Sequence, residues 1–141
     1  MIILDTDHIA TLKYSDSERF RRLASRMADS EDQDFVTTSV TLEEQMRGWL
    51  AQINRKNDVS QQVLPYAELS GLVEFFSLWT MLPFDDQSAN RFKQFRKQRI
   101  RTGSMDLKIA SIAVTHGCLL LTANTRDFEM VPGIQIADWM N

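Results

Sequence analysis

The sequence predicts an α/β fold built around a mostly parallel sheet. Short apolar or β-branched runs alternate with helical stretches along the whole chain, the pattern of βαβ units. Two of those runs, Met1–Leu4 and Cys118–Thr122, are almost wholly apolar, as strands covered on both faces are. No repeat and no Gly/Ser/Pro-rich linker interrupts the alternation, so residues 1–141 are expected to form a single domain.

Each element follows in turn. Met1–Leu4 is the first strand. Ser17–Met27 sets Phe20, Leu23, Ala24 and Met27 at helical spacing. Phe35–Thr38, aromatic and β-branched, is the second strand. Thr41–Ile53 places Leu42, Met46, Trp49, Leu50 and Ile53 on one helical stripe. From there to Leu78, the spacing of Val63, Tyr66, Leu69, Val73 and Phe76 is again helical, with Pro65 marking a start or a kink. Trp79–Phe84 reads as a short strand that Pro83 confines to an edge or ends. Asp85–Arg101 is a helix opened by two acids, which suit the positive end of its dipole, and Thr102-Gly103 breaks it. Ser104 caps the next helix, with Met105, Ile109, Ile112 and Ala113 on one side and Gly117 closing it. Cys118–Thr122 and a short Ile134–Ile136 complete the strands.

Composition narrows the class. A chain of 141 residues buries roughly two thirds of its unfolded surface, so it needs no disulfide or structural metal. Its 43% hydrophobic and 25% charged content is that of a soluble globular protein, not a disordered one. The single Cys118 excludes an intramolecular disulfide and fits a reducing compartment. No apolar run approaches the roughly 20 residues that cross a bilayer. No basic residue precedes the apolar N-terminus, so a signal peptide is not expected. The expectation is a cytoplasmic protein without a membrane partner. A net charge of -3 argues against a protein that coats nucleic acid, but the charge is unevenly placed. Arg91, Lys93, Arg96, Lys97, Arg99 and Arg101 are six of the sixteen basic residues, in a segment without acids, while ten basic and nineteen acidic residues share the remainder. Interleaved with Phe92 and Phe95, this stripe suits either phosphate binding or a solvated helix face over a buried one.

In parallel sheets, ligands bind beyond the carboxyl ends of the strands, and acids collect there. Asp5 follows the first strand directly, with Thr6 and Asp7 behind it. Glu43 and Glu44 open the helix after the second strand, Asp106 opens the helix before the Cys118 strand, and Asn124 and Asp127 lie just past Thr122. Crowded carboxylates repel unless a cation joins them, and an oxygen-only cluster selects a hard ion, Mg²⁺ or Mn²⁺. His8 and His116 do not look like ligands, and no nucleophile–histidine pairing is evident. The chemistry on offer is metal activation of water, suited to phosphodiester hydrolysis. Structural readings compete at each site. Glu44 completes a Thr41-x-x-Glu44 capping box, Asp106 serves its helix's dipole and Asp127 a turn. Asp5 alone has no helix turn to explain it.

Four blocks together resemble a known family: Met1-Ile2-Ile3-Leu4-Asp5-Thr6, Ser39-Val40-Thr41-Leu42-Glu43-Glu44, Asp106-Leu107-Lys108-Ile109-Ala110, and Leu120-Leu121-Thr122-Ala123-Asn124-Thr125-Arg126-Asp127-Phe128. In this order they resemble the PIN-domain ribonucleases, most of all the VapC-type toxins of bacterial toxin–antitoxin pairs. The resemblance implies a three-layer α/β/α domain and a metal-dependent endoribonuclease site. Asp5 matches the family's first acid, Glu44 rather than Glu43 the second, Asp106 the third, and Asn124 with Asp127 the fourth corner. By that likeness Asp5, Glu44, Asp106 and Asp127 hold Mg²⁺ or Mn²⁺, with Thr6 and Thr122 supporting them. Gly48, one helical turn after Glu44 and without a side chain, would let a nucleic-acid backbone approach that acid. It further implies an RNA substrate, an antitoxin partner that masks the site, and a homodimer, with Trp49, Phe76 and Trp79 as candidate contacts; the Arg91–Arg101 stripe would deliver the RNA. Two alternatives are a weakened PIN domain acting as a binding module, because Asn124 replaces an acid, and a haloacid-dehalogenase-like phosphatase, because of Asp5-x-Asp7.

Overall fold

Residues 1–14 and 16–141 are described by a computed structural model of the chain. Five strands pair in parallel: β1 (Ile2–Leu4), β2 (Phe35–Thr38), β3 (Met81–Leu82), β4 (Leu119–Leu121) and β5 (Gln135–Ala137), in the order β3-β2-β1-β4-β5. The most apolar strands take the middle, as the loss of both solvent faces demands. Ile3 pairs with Val36 on one side and Leu120 on the other, so the register aligns the core residues of three strands. Helices cover both faces: α1 (Thr6–Tyr14), α2 (Glu18–Asp29), α3 (Ser39–Arg55), α4 (Val63–Ser77), α5 (Asp86–Lys97), α6 (Ser104–His116) and the single turn α7 (Thr125–Phe128). Because side chains alternate along β1, the core divides in two. Ile3, Val36 and Leu120 meet Phe95, Leu107, Ile109 and Phe128 from α5, α6 and α7. Ile2, Leu4 and Leu121 meet Ile9, Leu23, Leu72 and Phe76 from α1, α2 and α4. The result is the three-layer α/β/α arrangement. Among the described residues no helix is long and apolar enough to cross a membrane.

The chain builds outward from β1 through β2 to β3, then returns to start β4 on the other side of β1 and adds β5. The order therefore reverses between β1 and β4. A crevice opens at such a reversal, beyond the carboxyl ends of the two strands, and Asp5 and Thr122 stand there.

The structure departs from the sequence reading at several ends. Thr6–Tyr14 is helical although only Ile9 and Leu12 face the core, too few for a visible periodicity. The helix expected from Thr41 begins at Ser39, with the Thr38 side chain accepting from the Thr41 N–H at 3.0 Å. That cap replaces the anticipated Thr41–Glu44 capping box. The helix expected to reach Arg101 ends at Lys97, because Arg99 adopts a left-handed φ of 63°. Gly103, not Ser104, sits at the N-cap of α6 and makes no side-chain cap. Gly117 closes α6 in the left-handed conformation (φ 62°), as expected.

Candidate active site

Asp5 is held where β1 ends, only 4% exposed. Its Oδ1 accepts from the Thr6 N–H at 2.7 Å and its Oδ2 from the Thr122 hydroxyl at 2.8 Å, so the two central strand ends are tied through one carboxylate. Thr122 Oγ1 in turn accepts from the Asn124 N–H at 3.0 Å. The Asn124 amide nitrogen then reaches Asp106 Oδ2 on α6 at 3.1 Å and Asp127 Oδ2 on α7 at 2.9 Å. A second chain of bonds runs through Asp7. Its Oδ2 accepts from the Ala123 N–H at 2.9 Å and its Oδ1 from His8 Nδ1 at 2.6 Å. The buried His8 ring accepts the Trp139 N–H at Nε2 (3.2 Å), an arrangement that requires its proton on Nδ1. Both ring nitrogens are thus occupied, and His8 is no metal ligand.

The acids act on one another. Burial pushes the Asp5 carboxyl up to about 7, aided by Asp7 and, more weakly, Asp106, while the Thr122 and Thr6 hydrogen bonds oppose the rise. Glu44 is raised above its ordinary value by burial and by the charge of Asp106. Asp106 is raised by burial and by Asp127, against the Asn124 hydrogen bond. The Thr6 hydroxyl lies near enough to Glu44 to favour its charge slightly, yet Glu44 Oε1 and Thr6 Oγ1 are both buried without a well-formed hydrogen bond among the described residues. An orphaned carboxylate oxygen costs desolvation that a cation or donor would offset. No three acidic, histidine or cysteine groups among the described residues stand close enough to form a ready-made ion cage. The donor set nevertheless fits a hard divalent ion in its chemistry: oxygens only, several of them ionised against mutual repulsion.

The PIN domain family matches residues 2–134. The chain belongs to the PIN-domain family. Within it, this PIN domain is 32% identical over 126 residues to the tRNA(fMet)-specific endonuclease VapC of Salmonella typhimurium, covering 86% of this chain and 82% of that relative. It is 27% identical over 140 residues to ribonuclease VapC of Rickettsia bellii, covering 96% and 93%. A third alignment, to ribonuclease VapC1 of Rickettsia felis, is 41% identical but spans 64 residues, 43% of this chain and about half (48%) of that relative. In solved structures, the fold matches the DNA-bound VapBC of Salmonella typhimurium with a TM-score of 0.72, 28% identity and 99% coverage of both chains.

Asp5 of this PIN domain follows β1, Glu44 stands on α3 and Asp106 on α6, and the Asp106 charge helps raise the other two carboxyls. The Thr6 N–H and the Thr122 hydroxyl hold Asp5, and Gly48 lines a groove beside Glu44. Asn124 presents its amide nitrogen to both Asp106 and Asp127, and so bridges them as a hydrogen-bond donor. Asp7 is the member that sequence reasoning missed as part of this cluster, although the Asp5-x-Asp7 spacing was its signal. In the cationic stripe, Arg91, Lys93, Lys97, Arg99 and Arg101 are exposed. Arg96 is not available: its guanidinium donates to the carbonyls of Ile100 (2.7 Å) and Thr102 (2.9 Å) and lies over the Phe92 ring. Phe76, a candidate for partner contacts, is 1% exposed and belongs to the core, while Trp49 and Trp79 are half-buried.

Proposed function

We propose that this PIN domain is an endoribonuclease of the VapC kind, the toxin of a toxin–antitoxin pair, which hydrolyses RNA phosphodiester bonds with Mg²⁺ or Mn²⁺. The observation that carries the reading is the hydrogen-bonded network that Thr122 and Asn124 build from Asp5 to Asp106 and Asp127 at the reversal point of the sheet, with Glu44 near enough for the Asp106 charge to raise it. The names of the relatives support the same activity.

Asp5, Glu44 and Asp106 would hold the ion, with Asp127 at the fourth corner. A bound divalent ion lowers the pKa of water toward neutrality and stabilises a departing oxygen. Asp5 would offer a carboxylate fixed in position, because Thr6 and Thr122 hold both its oxygens. Asn124 orients the Asp106 and Asp127 carboxylates by donating to both, which restrains them before any ligand arrives. One of the carboxylates accepts the proton of the attacking water; the ester P–O bond then breaks and its oxygen takes up a proton. The exposed cations Arg91, Lys93, Lys97, Arg99 and Arg101 neutralise RNA phosphates. The loop that follows them is tied to α7 by Thr102, whose hydroxyl donates to the Asp127 carbonyl at 3.0 Å.

The fold's likeness to VapBC complexes supports an antitoxin as protein partner. Exposed apolar residues on α4, among them Leu64, Tyr66 and Val73, offer surface for that chain or for a second copy of this one. Activity is placed in the cytoplasm, where RNA is at hand and Cys118 stays reduced. The test is cleavage of RNA by the purified chain, freed of any partner. Cleavage should appear with Mn²⁺, stop with EDTA and be lost in Asp5→Asn and Asp106→Asn. Cleavage that survives either substitution overturns the reading.

A further inference from the structure

A groove of about 320 Å³ opens beside Glu44, lined by Thr6, Glu44, Gln45, Gly48, Trp49 and Gln52. Its acid, Glu44, belongs to the helix that follows β2, whereas Asn124 and Asp127 follow β4 on the other side of β1. We infer that this groove is a subsite for one unpaired RNA base adjoining the scissile phosphate, with the Trp49 indole as its stacking platform and the Gln45 and Gln52 amides reading the base edge. The inference rests on the ribonuclease reading above and adds where the substrate's base is recognised.

Several independent features agree. The Trp49 indole is half-buried, and no aromatic ring of the described residues stacks on it. Unstacked bases are recognised on such rings by face-to-face contact and by hydrogen bonds to their edges. Neither glutamine amide is engaged in a hydrogen bond among the described residues, so both remain free to bind a base. Gly48 forms the floor, and a Cβ there would meet nothing within 4 Å, so the space above it is open. Two of its lining residues, Glu44 and Thr6, carry buried oxygens (Oε1 and Oγ1) without a hydrogen-bond partner among the described residues.

Charge decides what kind of group enters. The groove carries the Glu44 acid and no base, which repels a phosphate but not a neutral nucleobase. Phosphates would meet the cationic stripe instead, and the loop that follows it is tied to the Asp127 carbonyl by the Thr102 hydroxyl. A strand crossing the acids would therefore lay its backbone on one side and a base on the other. The volume matches the lower end of small-ligand pockets, enough for one base and part of its ribose. The groove continues past Trp49 and Gln52 into a second hollow of about 450 Å³ that ends at Lys56 and Leu64, giving the next nucleotide an exit.

The test uses the full chain freed of partner and 2′-O-methyl RNA decamers of mixed sequence, bound in EDTA, with Kd read by fluorescence anisotropy. Cleavage positions on an unmodified RNA in Mn²⁺ give the second readout. Trp49→Ala should weaken binding roughly tenfold and flatten the positional preference, while Trp49→Phe keeps most of both. Gly48→Leu fills the floor without removing a wall residue, and should weaken binding with an unchanged or higher unfolding midpoint. If both folded variants bind as tightly and cut at the same positions as the parent, the subsite is overturned and the ribonuclease reading stands. If the parent binds RNA through Trp49 but does not cut it in Mn²⁺, the subsite stands and the ribonuclease reading falls. If the parent does not bind the decamers, or if Trp49→Ala impairs only a co-expressed protein partner's binding, the groove belongs to something other than RNA and the inference fails.

Discussion

The hydroxyl of Thr122 donates to Asp5 Oδ2 across 2.8 Å and 117 positions of chain, joining the ends of β1 and β4 where the sheet reverses. A bond to the charged form of a carboxylate holds its pKa down, so this contact counters the burial that drives Asp5 up to about 7. Thr122→Val, similar in shape, removes the donor. The carboxylate then protonates at higher pH, and the acid limb of the pH–rate profile should move upward. The stability cost should be about 1–3 kcal/mol at pH 8, where Asp5 is ionised, and smaller at pH 5. Urea unfolding at the two pH values checks this, and equal costs at both would show that the bond does not act on the charge.

Asp5 also sets the direction of pH dependence for the whole ion-free protein. Its folded pKa of about 7 lies above the ordinary value of 3.8, so between these limits the folded state binds more protons than the unfolded one. Stability is therefore fullest at the acid end and falls as pH rises toward 7. Glu44 and Asp106, also raised, add in the same sense. In EDTA the chain should lose on the order of a few kcal/mol between pH 5 and 8. Asp5→Asn should flatten that slope and melt at a higher temperature at pH 8 while abolishing cleavage. Added Mn²⁺ should restore stability to the parent at pH 8 and do little for Asp5→Asn. A parent chain that is equally stable at both pH values would contradict the electrostatic picture.

Asn124 separates two carboxylates that would otherwise face each other unscreened. Asn124→Asp removes both of its donated bonds and inserts a further charge between Asp106 and Asp127. The Asp106 carboxyl, already raised, should rise further, and the ion-free protein should lose about 1–3 kcal/mol. The same change supplies the site with another anionic ligand, so the Mn²⁺-induced rise in melting temperature should exceed that of the parent. Calorimetry with and without Mn²⁺ separates the two effects; a variant that is destabilised but gains nothing from the ion would mean that Asn124 stands outside its reach.

What could be read from the chain alone followed from how many side chains announce each feature. β1 and β4 were legible because Ile2, Ile3, Leu4, Leu120 and Leu121 leave no polar face, and a parallel sheet placed Asp5 at its edge. Helix α1 was not, since two core-facing residues set no period and the buried His8 reads as a polar interruption. Glu44 looked explained by a capping box, but Thr38 takes that duty and leaves Glu44 Oε1 without a partner. Asp7 and the amide orientation of Asn124 depend on contacts more than a hundred and about eighteen residues away, respectively, which no local pattern encodes.

Arg96 divides the cationic stripe into parts with different duties. Its guanidinium holds the Ile100 and Thr102 carbonyls and covers Phe92, fixing the loop that carries the chain from α5 into α6. Thr102 passes that placement on to Asp127. Arg96→Lys keeps the charge but loses the planar fork, and should cost about 1–2 kcal/mol of stability while leaving the salt dependence of RNA binding nearly unchanged. The exposed Arg91, Lys93 and Lys97 should behave in the opposite way. Replacing each with glutamine should leave stability within about 0.5 kcal/mol and reduce the slope of log Kd against log salt by roughly 0.7 per residue, the single-strand value. Titrations at several salt concentrations, read beside unfolding curves, test both halves. If Arg96→Lys lowers the salt slope as much as Lys93→Gln does, Arg96 touches phosphate after all; if the glutamine variants leave the slope unaltered, the RNA does not run along α5.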